Sequence, residues 1–139
     1  MRGVTLALVA AFAWGVWALL AKLATRSLAP ETVLVVSYLV GSAIGLVALV
    51  LTLDGPITGM VVDTPGLTYA VGAGVASGLG SVVYYAGLKS GSVSVVSTVT
   101  GLYFVVATVL GILLLGESIS ASTLLGVAFA VGAVVLLAG

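Results

Sequence analysis

Five stretches of this chain, residues 3–21, 32–53, 64–88, 90–116 and 118–139, contain no Asp, Glu, Lys, Arg or His. Every charged side chain lies between or beside them. The hydrocarbon core of a bilayer is about 30 Å thick, and about 20 apolar residues of helix cross it. Lipid offers no hydrogen bonds to a bare backbone, which leaves helices and closed barrels as the spanning structures. Barrel strands alternate apolar and polar over about ten residues, whereas these stretches stay apolar for far longer. The expected fold is an all-α integral membrane protein, a five-transmembrane-helix bundle. Its helices fall at about 3–24, 32–53, 66–88, 92–115 and 120–138, in a single domain over 1–139. An odd number of crossings places the two ends of the bundle on opposite sides of the membrane.

Composition narrows the function. The chain is 62% hydrophobic and 6% charged, against about a quarter charged in soluble domains. There is no charged surface on which to build a water-facing catalyst or a nucleic-acid interface, and a net charge of zero draws no polyanion. With no Cys and no His, thiol chemistry, haem ligation and the usual zinc sites are excluded. The four carboxylates, Glu31, Asp54, Asp63 and Glu117, sit scattered at segment ends and suggest no metal cage. We therefore expect no enzyme and no cofactor. Arg2, the apolar run behind it and Ala11-Phe12-Ala13 have the outline of a cleaved signal. The run continues through Leu20 and carries two tryptophans, which fits a retained first helix.

Short joints at 25–30, 54–66, 89–92 and 116–120 turn successive helices antiparallel. Pro30 stands just before the second helix, Pro56 and Pro65 bracket the longest joint, and none falls inside an expected span, where it would remove a backbone bond. Ser118 or Ser120 is the expected N-cap of the fifth helix, and the Glu117 carboxylate suits that helix's positive end, the alternative being a proton-coupling role. Lys22, Arg26 and Lys89 share one side with the C-terminus, and Arg2 lies on the other. The positive-inside rule then favours an outside N-terminus, by a margin small enough to allow insertion both ways.

No Asp, Glu, Lys or Arg lies near the centre of a span, so no carboxylate is on hand there to carry a proton. The polar groups in the spans are hydroxyls and amphipathic aromatics. Trp14 and Trp17 share a face of the first helix, and Ser37, Tyr38 and Ser42 belong to the second. Ser77, Ser81, Tyr84 and Tyr85 belong to the third, while Ser94, Ser97, Thr98, Gly101 and Thr108 form a stripe on the fourth. One hydroxyl alone can bond back to its own helix, but three polar helix faces point to a shared wet cavity. The candidate cavity residues are Trp14, Trp17, Tyr38, Tyr84, Ser97 and Thr98. For Trp14 the alternative is packing over small residues such as the third-helix glycines. For the tyrosines, above all Tyr85, it is a place in the interfacial aromatic belt. Lys22 and Arg26 are expected to snorkel to the interface, the alternative being a cavity mouth that attracts anions. Small residues recur at four-residue spacing: Gly41 and Gly45, Gly74 and Gly78, and Ser122, Gly126 and Ala130. Such stripes let helix backbones approach in lipid. They serve either packing within the bundle or a dimer face, with the fifth helix the first choice for the latter.

Taken in order, several short motifs resemble the EamA-type unit of the drug/metabolite transporter superfamily. Ala13-Trp14-Gly15 with Ala21-Lys22-Leu23-Ala24 is similar to that family's first helix, and Tyr85-Ala86-Gly87-Leu88-Lys89 to the turn after its third. Leu113-Leu114-Leu115-Gly116-Glu117 and the Gly126 to Gly132 segment resemble its last two helices. The family often has a proline where Phe104 follows Tyr103, and an arginine where Ser37 aligns. Gly101 still permits a bend in the fourth helix, while the missing arginine weakens any case for acidic substrates. The related small multidrug resistance proteins depend on a first-helix carboxylate, which this chain lacks. The resemblance implies a secondary carrier, an exporter of small metabolites or amino acids, in a prokaryotic cytoplasmic membrane. It also implies that the chain is one half of an inverted-repeat ten-helix transporter working by alternating access. The missing half would be a second copy in an antiparallel homodimer or an oppositely oriented homologous chain. The partners are then the lipid bilayer, that second half and a small-molecule solute, with no nucleic acid. The alternative is a non-transporting membrane subunit or assembly partner of a larger complex.

Overall fold

Residues 2–53, 55 and 64–138 are described in the computed structural model of the protein. Asp54, Pro56, Asp63 and most of the longest joint lie outside the described residues. Those described form helices α1 (Arg2–Ala24), α2 (Pro30–Thr52), α3 (Thr64–Ser90), α4 (Val93–Gly101), α5 (Tyr103–Leu115) and α6 (Ala121–Ala138), with no strand among them. Four runs are long and apolar enough to cross a membrane: Gly3–Ala24, Pro30–Thr52, Thr64–Ser90 and Val93–Leu115. A further apolar helix, Ala121–Leu137, is shorter. The chain is thus an all-helical, multi-pass membrane protein.

Three boundaries depart from expectation. Pro30 belongs to α2 and opens it, with Ala29 as an extended N-cap. Pro65 lies inside the first turn of α3 rather than in the joint. Both stand where a helix amide has no partner to lose, so neither breaks its span. The expected single helix at 92–115 is instead two helices parted at Leu102. The Leu102 amide donates to the Val99 carbonyl at 3.1 Å, and the Val105 amide to the Leu102 carbonyl at 2.9 Å. These three-residue bonds tighten the backbone into a 3₁₀-like turn beside Gly101, whose lack of a side chain weakens helix continuity there.

Two caps follow the hydroxyls. Ser92 Oγ accepts from the Val95 amide at 3.3 Å to start α4, and Ser120 Oγ accepts from the Thr123 amide at 3.1 Å to start α6. Between α5 and α6, Gly116 takes φ 66°, a left-handed conformation that costs other residues about 1–2 kcal/mol. The turn lets the Gly116 and Glu117 amides both reach the Gly111 carbonyl.

The chain divides into two compact units, Met1–Lys89 and Ser90–Gly139. In the first, the buried side chains are Ala18, Ala21 and Thr25 from the end of α1, Val33 from the start of α2, and Tyr84, Tyr85 and Leu88 from the end of α3. Antiparallel succession brings those three ends to one side of the membrane, where the unit is closed. Toward the other side almost every described residue is exposed. In the second unit α4 lies against α6, and Gly111 and Val134 are buried. Lipid covers exposed apolar side chains in place of water, yet so thin an interior leaves most of each helix surface unpacked by protein.

Candidate solute-binding face

Helix α3 gathers the polar groups of the first unit along one stripe. Ser77, Ser81, Tyr84, Tyr85 and Leu88 recur at the four- and three-residue spacings that share a helix face. Ser77 stands at the midpoint of α3, and Tyr38 lies three residues from the midpoint of α2. The Tyr38 hydroxyl spans the gap between the two helices. It is 2.8 Å from the Ser77 hydroxyl and 2.7 Å from the Ser81 hydroxyl. Tyr38 is 38% exposed and Ser81 half-buried, so the bridge lies at the surface of the unit rather than within it.

One turn further along α3 the face becomes aromatic. Trp17 of α1 stacks on Tyr84 with ring centroids 5.1 Å apart and planes 14° from parallel. It meets Tyr85 edge-on at 5.7 Å, and its indole N–H donates to the Tyr85 hydroxyl at 3.1 Å. Tyr84 and Tyr85 meet edge-on as well, at 6.0 Å. Offset and edge-to-face pairs of this kind are each worth about 0.5–1.5 kcal/mol beyond their burial. Tyr85 is 0% exposed. Its expected place in an interfacial belt is therefore corrected: a neighbour from α1 takes its hydroxyl, and it anchors the closed end of the unit.

Lys22 gains a partner that its own helix does not reveal. Its ammonium donates to the Leu88 carbonyl, one of the last carbonyls of α3, which keeps the charge at the helix end. Such carbonyls have no helical partner, and a cation there suits the negative helix end. Thr25 Oγ1 donates to the Lys22 carbonyl at 3.0 Å and closes the first turn of the connection to α2.

In the second unit, Ser97 and Thr98 are half-buried on α4, and Thr98 Oγ1 donates back to the Ser94 carbonyl at 2.6 Å. A groove along α5 is lined by Ala107, Thr108, Leu110, Gly111, Leu114, Leu115 and Glu117. The Glu117 carboxylate folds back over Gly111, where a Cβ would meet Oε2 at 2.7 Å. It thus lies over α5 and not at the start of α6 as the sequence suggested, because the left-handed Gly116 reverses the chain.

Of the six candidate cavity residues, Trp17 and Tyr84 are in ring contact, and Tyr38 joins α3 through Ser77 and Ser81. Trp14 is 60% exposed and takes part in no ring contact among the described residues. Sequence reasoning named Ser77 and Ser81 as polar but left them out of the candidate site, although their spacing to Tyr84 and Tyr85 is the signal that finds them. At Gly41, Gly45, Gly74, Gly78 and Gly126 an added Cβ meets nothing within 4 Å among the described residues. Among the described residues, these glycines are not sites of close helix approach within their own units.

Among curated proteins and solved structures there is no match to the chain. The sequence profile of the EamA-like transporter family matches it over residues 1–139. That match spans the apolar helices, the hydroxyl bridge and the aromatic face alike, and family members are transporters rather than enzymes. The chain therefore belongs to the EamA-like transporter family of the drug/metabolite transporter superfamily.

Proposed function

We propose that this chain is half of a secondary carrier that exports small metabolites or amino acids across a prokaryotic cytoplasmic membrane. A second copy inserted upside down completes it, with α6 as a fifth crossing, and solute moves by alternating access. The observation that carries this reading is the hydroxyl bridge of Tyr38, Ser77 and Ser81 at mid-depth on two membrane-length helices. Carriers built from inverted repeats hold solute near the bilayer midplane, at the interface between the repeats. A polar bridge at that depth on an exposed face fits one wall of such a site. The thin interior supports the same reading, because the described chain buries few side chains of its own. Trp14 belongs to the same proposed wall, and Ser97 and Thr98 form a polar face within their own unit.

Reconstitution tests it. The purified protein alone, in proteoliposomes loaded with a mixture of labelled amino acids and polar metabolites, is expected to show saturable exchange of at least one of them. Absence of flux for every solute, with insertion confirmed by protease protection, supports the alternative of a non-transporting subunit.

A further inference from the structure

The protons of the hydroxyl bridge do not come out even. Tyr38, Ser77 and Ser81 bring one hydroxyl proton each. Two are spent in the bonds at 2.8 and 2.7 Å, and no third bond to these side chains forms among the described residues. One proton and several oxygen lone pairs are left over. A group that both donates and accepts, such as an alcohol hydroxyl, completes the set.

Charge argues in the same direction. The nearest charged side chains along α2 and α3 are Glu31 in the first turn of one and Lys89 in the last turn of the other. Each stands about two helical turns or more from the bridge, or roughly 10 Å along its axis. Lys22, the cation at the closed end, is held by the Leu88 carbonyl. Among the described residues of α2 and α3, a carboxylate solute at the bridge would find no cation within about two turns, and an ammonium no carboxylate. Isolated charge is costly to desolvate, whereas an uncharged polyol asks only for hydrogen bonds. Trp17 stacks on the buried Tyr84 and is itself half-buried, so its exposed part is the apolar aromatic surface open to the C–H face of a sugar.

Resting on the carrier reading above, we propose that the Tyr38–Ser77–Ser81 bridge is a recognition point for an uncharged, hydroxyl-bearing solute of the polyol or sugar class. The solute hydroxyl takes the spare proton and offers its own to a serine or tyrosine lone pair.

The test uses the purified full chain, with labelled xylitol and glucose as probes and alanine, glutamate and lysine as comparisons. Binding is read by equilibrium dialysis and transport by counterflow in proteoliposomes. We expect polyol or sugar counterflow that excess glutamate or lysine does not inhibit. Tyr38→Phe keeps the ring and removes the bridging oxygen, and should lower binding and counterflow about tenfold. Ser77→Ala, a smaller change, should lower both in the same direction and guards against misfolding of the first variant. Counterflow of alanine, glutamate or lysine with neither binding nor counterflow of the polyols overturns the proposal while the carrier reading stands. Polyol binding that is lost in Tyr38→Phe, without flux of any solute, upholds the recognition point and removes the carrier reading. Polyol flux unchanged in both variants also overturns it.

Discussion

The indole N–H of Trp17 has one partner among the described residues, the Tyr85 hydroxyl 68 positions away in sequence. Tyr85→Phe keeps the ring contacts and leaves that N–H without an acceptor at the closed end of the first unit. We expect it to lower stability by about 1–2 kcal/mol, read as a fall in the thermal midpoint in detergent. An unchanged midpoint would mean that the bond contributes nothing. Gly116 is the one described residue with a positive φ, and Gly116→Ala should cost about 1 kcal/mol by the same measurement. The two positions differ in legibility. Gly116 follows an apolar run, where a helix-ending glycine is a familiar signal. The partners of Tyr85 and Lys22 are not legible in the sequence because each comes from a distant helix. Spacing along one helix carries no record of such a partner.

Among the helices, the break at Leu102 separates α4 from α5 within one membrane-length run. Discontinuous helices commonly line the sites of secondary transporters. Among the described residues an added Cβ at Gly101 meets nothing within 4 Å, so Gly101→Ala is expected to introduce no clash and to improve helix propensity by up to about 1 kcal/mol. The expected outcome is a raised thermal midpoint together with slower solute exchange. A lowered midpoint would show that the turn itself requires glycine. The apolar runs were plain in the sequence because lipid demands them, and the hydroxyls of Ser77 and Ser81 because they recur on one face. The break was less legible: without proline it is written only in Gly101 and in backbone bonds that tighten by one residue. Proline positions misled in a consistent way. Pro30 and Pro65 mark joints by sequence alone, yet both stand in first helical turns, which tolerate proline.

For the molecule as a whole, the open glycines and the thin interior point to one need. Among the described residues, Gly41, Gly45, Gly74, Gly78 and Gly126 have room for a side chain, and under the proposed dimer the stripe of Ser122, Gly126 and Ala130 is the first candidate to meet the second copy. Gly126→Leu should leave insertion intact and shift the detergent-solubilised protein from dimer to monomer, as measured by light scattering. A dimer that persists would remove α6 from the interface. The central claim is that two copies in opposite orientations form the carrier, and side-specific labelling tests it most directly. The chain has no native cysteine, so single cysteines can replace Ser27 and Ser118, both exposed in short connections. Three membrane-length runs separate the two sites, which places them on opposite sides of the membrane in any one molecule. With an impermeant thiol reagent on intact cells, the account predicts partial labelling at both sites, completed after permeabilisation. Full labelling of one site from outside and none of the other would fix a single orientation. That result would contradict the inverted homodimer and leave an oppositely oriented homologous chain as the missing half.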